Sequence, residues 1–178
     1  MKICGFNGSL RERALSRMLL ETMVEKFPGR TEFVCPDIGC LPHYNPDLEK
    51  MAVPPQVAVF RKAIVQSDMV LITTPEYNHA IPGVLKNALD WASRPVFSSC
   101  MLNKPVLFAT ESEGALGGAR AQHSLREILS SMRCYLPPMP EIVVTFASGK
   151  FIDGQLQDKN THQFLQNSIE LFLAGLCR

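Results

Sequence analysis

Residues 68–74 read Asp-Met-Val-Leu-Ile-Thr-Thr, an unbroken run that is mostly apolar and rich in β-branched side chains. Such a run is typical of a strand buried on both faces, as in a parallel sheet covered by helices. Four other short apolar segments, at residues 2–6, 32–35, 104–110 and 141–146, alternate with helical patterns. The chain is therefore predicted to contain five βα units, with right-handed crossovers placing helices on both faces of a parallel sheet.

Helical periodicity falls between these predicted strands. Its strongest instance has apolar residues three and four positions apart, at Ile81, Val84, Leu85, Ala88, Leu89 and Ala92. Further helices are predicted within residues 15–27, 56–66, 121–132 and 164–175. The stretch from Pro36 to Pro55 contains five prolines and little periodicity, which predicts a surface connection.

The fold class predicted from this order is α/β, as one domain spanning residues 1–178. Among doubly wound folds, five strands favour the flavodoxin-like order 2-1-3-4-5, although another order stays open at this stage. The 178 residues are enough for a sizeable core.

Charge and composition narrow the classes of partner. The formal net charge is +1, so we expect no nucleic-acid partner and no binding to an anionic membrane. No apolar run is long enough to predict a membrane span. None of the six cysteines stands in a C-x-x-C pair, which favours reduced thiols in a cytoplasmic protein over disulfides or a metal site.

The loop after the first strand, residues 8–16, has the features of a phosphate site. It leads into a helix, whose N-terminal amides attract phosphate. Ser9 and Ser16 can add hydroxyl donors, and Arg11 can add a positively charged, planar guanidinium group with several N–H donors. The loop matches neither G-x-G-x-x-G nor G-x-x-x-x-G-K-[ST], which disfavours a dinucleotide or a nucleoside triphosphate. A plain turn, in which Ser9 satisfies backbone amides, is an equal alternative.

Two further loops follow the third and fourth strands, and ligands of doubly wound sheets bind at that edge. Tyr77, in residues 75–78, can stack on a planar ring, or it can merely cover the end of the sheet. Three glycines in residues 112–118 allow a close approach of backbone to a ligand, or form a flexible connection. Together the three loops predict a mononucleotide with a flat head, for which FMN is the obvious candidate.

At these positions the chain resembles the NADPH-dependent FMN reductase family, closest to the branch of quinone, azo-dye and chromate reductases. The resemblance spans roughly residues 2–145. The matching motifs are Gly-Ser-Leu-Arg at 8–11, Thr-Pro-Glu-Tyr-Asn at 74–78, Pro-Gly-Val-Leu-Lys-Asn-Ala-Leu-Asp-Trp at 82–91, Lys-Pro-Val-Leu at 104–107 and Gly-Gly-Ala-Arg-Ala-Gln at 117–122. The combination of the second and third motifs is the specific signal.

The resemblance implies a role for each motif in an NAD(P)H-dependent flavoenzyme. FMN is the bound cofactor, NADPH or NADH is the hydride donor, and the acceptor is a quinone, an azo compound, chromate or free flavin. The family also implies a homodimer or homotetramer, and no protein side chain is expected to be catalytic. The implied FMN ligands are Ser9, Arg11, Leu15 and Ser16 for the phosphate, Pro75, Glu76, Tyr77 and Asn78 for the isoalloxazine and ribityl chain, and Ser112 and Gly114 for the other flavin edge.

The first loop departs from the family pattern G-S-x-R-x-x-S-x-N. Without a gap, Ala14 takes the place of the serine and Ser16 that of the asparagine. Each lost neutral hydrogen bond is worth about 0.5–1.5 kcal/mol, so we expect weaker FMN retention. Arg13 and Arg17 are candidates to compensate. A protein that keeps its full complement of flavin through extensive dialysis would contradict this expectation.

Two other functional classes stay open from the sequence. One is a flavodoxin-type electron carrier, which is disfavoured because such a protein would be acidic. The other is a non-catalytic flavin-binding or sensor protein on the same fold. Other conspicuous side chains are given structural or surface roles: His43, His79, His123, His162, Asp90 and Trp91.

Overall fold

The computed structural model describes residues 1–177. Five strands form its main sheet: β1 (Lys2–Asn7), β2 (Glu32–Val34), β3 (Met69–Pro75), β4 (Val106–Glu111) and β5 (Ile142–Val144). They are all parallel, in the order β2-β1-β3-β4-β5. The predicted flavodoxin-like α/β fold and strand order are confirmed.

Six α-helices accompany the sheet: α1 (Leu15–Glu25), α2 (Pro46–Met51), α3 (Pro55–Val65), α4 (Gly83–Ala92), α5 (Ala119–Ser131) and α6 (Lys159–Leu176). Two core clusters cover its two faces. One contains buried residues of α1 and α6, such as Leu20 and Phe172. The other contains buried residues of α3, α4 and α5, such as Phe60, Leu85 and Leu125. Side chains of β3 alternate between the two clusters, as the two-residue period of a strand requires.

The region from Pro36 to Pro55 lies on the surface as predicted, but it is not an irregular connection. A short 3₁₀ helix spans Ile38–Cys40, and α2 follows it. Asn45 caps α2 by accepting a hydrogen bond from the Asp47 amide at 2.9 Å. The sequence did not predict α2, because Pro46 stands at the first helical position, where proline starts a helix instead of breaking one.

A two-stranded hairpin after the main sheet was also not predicted. It pairs β6 (Phe151–Ile152) with β7 (Gln155–Leu156). Its strands are too short to show a periodic pattern in the sequence. The hairpin contributes Phe151 and Leu156 to the core cluster beneath α1 and α6.

Trp91 of α4 has the core position that its apolar neighbours predict. Its ring is fully buried, and its Nε1 donates a hydrogen bond to the Pro42 carbonyl oxygen at 2.7 Å. Asp90, one position earlier, forms an exposed ion pair with Lys86 at 2.6 Å. Among residues 1–177, no helix is long and apolar enough to cross a membrane.

Replacing Gly118 by Ala is expected to lower the free energy of unfolding by roughly 1–2 kcal/mol. Gly118 precedes α5 with a φ of 82°, a left-handed conformation that costs an L-residue about this much. An added Cβ would also lie 2.9 Å from the Thr110 Cβ. Urea unfolding of both proteins would measure the difference.

Gly83→Ala is the matched control for that variant. Gly83 begins α4 without a left-handed φ, and among the described residues nothing lies within 4 Å of an added Cβ. Equal urea midpoints for the two variants would contradict the strain assigned to Gly118.

Candidate functional site

The loops after β1, β3 and β4 meet at the carboxyl edge of the sheet and enclose a cavity of about 340 Å³. Residues from all three loops line it: Ser9, Arg11, Ala14, Leu15, Pro75, Glu76, Tyr77, Glu111, Ser112 and Glu113. The structure therefore brings seven of the ten predicted site residues to one cavity. Asn78 and Gly114 are in the adjoining turns, and Ser16 is fully buried in α1 and does not line the cavity.

Two hydrogen bonds fix the start of the first loop, one to β3 and one within the loop. The Gly8 amide donates to the Thr73 carbonyl oxygen at 2.8 Å, and the Asn7 side-chain amide donates to the Ser9 carbonyl oxygen at 2.7 Å. Any side chain on Gly8 would overlap the Thr74 side chain. The buried Ser9 hydroxyl accepts from the Arg11 amide at 3.3 Å. Ser9 thus satisfies a backbone amide and also lines the cavity, so the turn and the ligand site are compatible.

Helix α1 starts at the floor of this cavity. Ala14 is its N-cap residue, and the methyl side chain of Ala14 makes no capping hydrogen bond to the amides at the helix start. Ser16 is fully buried, and its hydroxyl donates to the Asn7 Oδ1 atom at 2.6 Å. The Ser16 hydroxyl therefore faces the protein interior, while the amides at the start of α1, which Ala14 does not cap, can attract an anion.

The second loop turns tightly around Tyr77. The Tyr77 amide donates to the Ala80 carbonyl oxygen at 3.0 Å, and the Ala80 amide donates back at 3.1 Å. Asn78 and His79 complete the turn with φ values of 49° and 67°. The Tyr77 side chain is 46% exposed. An aromatic face is thus presented at the mouth of the cavity.

Glu76 has a role that the sequence did not reveal. Its Oε2 accepts hydrogen bonds from the Arg120 and Ala121 amides, at 2.9 and 3.1 Å, at the start of α5. A carboxylate is favourable there because it meets both the orphan amides and the positive end of the helix dipole. Glu76 therefore ties the second loop to α5.

The third loop is fixed rather than a flexible connection. The Ser112 hydroxyl accepts from the Gly114 amide at 2.9 Å, and the Thr110 hydroxyl donates to the Gly117 carbonyl oxygen at 2.9 Å. The segment after β5 also holds it, since Phe146 and Ala147 donate their amides to the Gly114 and Ser112 carbonyl oxygens.

Three residues that line the cavity were not predicted as site residues: Ala14, Glu111 and Glu113. Glu111 is the last residue of β4 and is only 5% exposed. Burial raises the pKa of its carboxyl group to about 7, and the charge of Glu113 adds to the effect. Arg11 and the Ser16 amide oppose it. The sequence did contain a signal, an acidic residue directly after a buried strand, but β4 was predicted to end one residue earlier.

Comparison with known proteins identifies the family. The model of the NADPH-dependent FMN reductase family matches residues 1–149. The chain belongs to this family. A quinone reductase of Pseudomonas putida is 40% identical over 166 residues, which is 93% of this chain and 89% of the relative. An NAD(P)H-dependent FMN reductase of Pseudomonas aeruginosa is 34% identical over 171 residues, or 96% and 92% of the two chains.

A solved structure supports the same assignment for this FMN reductase family member. FerB, a flavoenzyme NAD(P)H:(acceptor) oxidoreductase from Paracoccus denitrificans, is 35% identical, with a TM-score of 0.89. The match covers 98% of this chain and 96% of FerB. The chain is therefore an oxidoreductase of a family that uses FMN and a nicotinamide donor. Neither an electron carrier nor a non-catalytic sensor is favoured.

Proposed function

We propose that the chain binds FMN in this cavity and uses NADPH or NADH to reduce a small acceptor, with a quinone as the first candidate. The observation that carries the proposal is the meeting of Arg11, the start of α1 and the exposed Tyr77 ring around one cavity. Arg11 and the start of α1 suit a phosphate at one end of the cavity, and the Tyr77 ring suits a flat aromatic ring at the other end. Relatives named quinone reductase point to the acceptor class.

The phosphate end of the proposed site is the first loop. Arg11 supplies a planar fork of donors that suits a phosphate, and Ser9 positions the Arg11 amide. Leu15 and Ser16 would contribute backbone amides at the start of α1. Because the Ser16 hydroxyl is bonded to Asn7, we assign this residue a backbone role in place of the side-chain role that its hydroxyl suggested.

The ring end of the proposed site lies between the second and third loops. Tyr77 and Pro75 offer apolar surface, and the backbone from Glu76 to Asn78 offers polar groups to the ring edge. Ser112 and Gly114 are assigned to the opposite edge of the flavin. FMN bound there would supply the redox chemistry that passes electrons from the nicotinamide to the acceptor. The protein holds the ring, and its hydrogen-bond donors stabilise the charge that develops there.

Absorption spectroscopy tests this function. The purified protein is incubated with FMN, freed of excess flavin, and mixed with NADPH or NADH under argon. We expect a bound-flavin spectrum that is bleached by the nicotinamide and restored by a quinone. A spectrum that stays unbleached would contradict the reductase, and a colourless protein would contradict the FMN site.

We also propose that the protein forms a homodimer or homotetramer, as the family resemblance implies. Phe97 and Val96, just after α4, are 82% and 51% exposed, and exposed apolar side chains of this size are common at subunit contacts. Light scattering of the purified protein measures the mass. A monomer at all concentrations would contradict the proposal. The expected cytoplasmic location remains a prediction from the sequence.

A further inference from the structure

A buried carboxyl group lies at the phosphate end of the proposed site. Glu111 shares one face of β4 with Leu107 and Ala109, which pack in the core beneath α1 and α6. The alternation of the strand therefore directs Glu111 towards the start of α1. The residue lines the cavity together with Ala14 and is almost fully buried. A buried acid at a site for an anion requires a physical explanation.

Few charges surround this carboxyl group. Glu113 comes from the same loop, and Arg11 comes from the loop after β1. Glu76 follows the neighbouring strand β3, but its carboxylate is bonded to the amides of α5 and lies 3.8 Å from the Arg120 guanidinium. The neighbours from α1 and β5, Ser16 and Val144, carry no charge.

The carboxylate and a phosphate would compete for the same groups. The Ser16 amide at the start of α1 and the Arg11 charge both stabilise ionised Glu111. These are also the groups that would receive the phosphate of FMN. Two anions close together at one site disfavour each other's ionised form. The weaker acid is Glu111, because a phosphate dianion is already formed near neutral pH.

We propose that Glu111 takes up one proton from solvent when FMN binds, so that a neutral carboxylic acid lies beside the phosphate. The Glu111 carboxylate, one proton and FMN together give a complex in which Glu111 is a neutral carboxylic acid, and no other group changes its charge. The inference rests on the proposed FMN site. Burial raises the pKa of the Glu111 carboxyl group to about 7. The uptake of a proton is therefore possible close to neutral pH.

The dissociation constant of FMN at two pH values tests the proposal. Flavin fluorescence titrations at about pH 7 and pH 9 avoid the second ionisation of the phosphate, which is near 6. For the wild type we expect Kd to rise by about 10- to 50-fold over these two pH units, since affinity coupled to one proton falls by up to tenfold per unit above the pKa of about 7. Glu111→Gln should bind FMN with a Kd that changes less than about threefold.

Glu113→Gln is the matched control, because Glu113 lines the same cavity but is exposed. This variant should keep the rise in Kd. A wild-type Kd that is equal at both pH values, or a Glu111→Gln variant with the same rise as the wild type, would overturn the inference. Absence of FMN binding by every protein at both pH values would instead overturn the proposed function, and the inference with it.

Calorimetry of the wild type keeps the test independent of the variants' folding. FMN is titrated at about pH 8 in two buffers with different ionisation enthalpies, and the difference in heat gives the protons taken up. We expect most of one proton per FMN bound. No uptake, or a release of protons, would overturn the inference.

Discussion

Replacing Arg11 by Gln is expected to raise the Kd for FMN by about 10- to 100-fold. Arg11 is the residue of the loop before α1 that both carries a charge and lines the cavity. A hydrogen bond to a charged group contributes about 1.5–3 kcal/mol, and each 1.4 kcal/mol corresponds to a factor of ten. Glutamine keeps some hydrogen-bonding capacity but loses both the charge and the planar fork of donors.

The measurement is a fluorescence titration of FMN at about pH 6. At this pH Glu111 is largely protonated, so the loss of the Arg11 charge acts on the phosphate and not through Glu111. Arg13→Gln is the control, because Arg13 is exposed in the same loop and carries the same charge but does not line the cavity, where it would have to lie to compensate for Ala14. We expect its Kd to change less than about threefold. Equal effects of the two variants would show that only net charge matters and would contradict the assignment.

Glu111→Gln is expected to stabilise the FMN-free protein by about 3 kcal/mol above pH 8 and to have little effect at pH 4. The pKa of a glutamate carboxyl group is ordinarily 4.5, and that of Glu111 is about 7 in the folded protein. A raised carboxyl pKa means that ionisation opposes folding. The penalty is absent below pH 4.5, grows as the pH rises towards 7, and is complete above 7. Each pKa unit corresponds to 1.36 kcal/mol.

Urea unfolding of wild type and variant at the two pH values measures this effect. Glu12→Gln serves as the control here, because Glu12 is an exposed carboxylate in the loop before α1, whereas the charge of Glu113 itself helps to raise the pKa of Glu111. The stability of this control variant should follow that of the wild type within about 0.5 kcal/mol. A Glu111→Gln effect that is the same at both pH values would show that packing, and not the charge, sets the cost of Glu111.

The strands of the fold could be predicted because burial on both faces leaves a plain signal in the sequence. Residues 68–74 had to lie at the centre of a covered parallel sheet, and β3 does. The loops at its carboxyl edge followed from the topology. The start of α2 could not be predicted, because Pro46 favours a turn as well as a first helical position, and the cap by Asn45 decides between them.

The site was predictable in its position and less so in its details. The loops of Ser9, Tyr77 and Ser112 do meet, but the partner of each side chain depends on long-range packing. Glu76 is bonded to amides 44 and 45 residues away, which no local pattern encodes. The environment of Glu111 likewise depends on the distance between β4 and α1. FMN itself came from the resemblance to the family, since the loops indicate only a flat ring with one phosphate.

The most direct test of the central claim is a crystal structure of the protein reconstituted with FMN. We predict FMN in the cavity between the three loops, with its phosphate at the start of α1 beside Arg11 and its ring against Tyr77. FMN bound elsewhere on the protein, or a cavity that stays empty in crystals grown with excess FMN, would contradict the account.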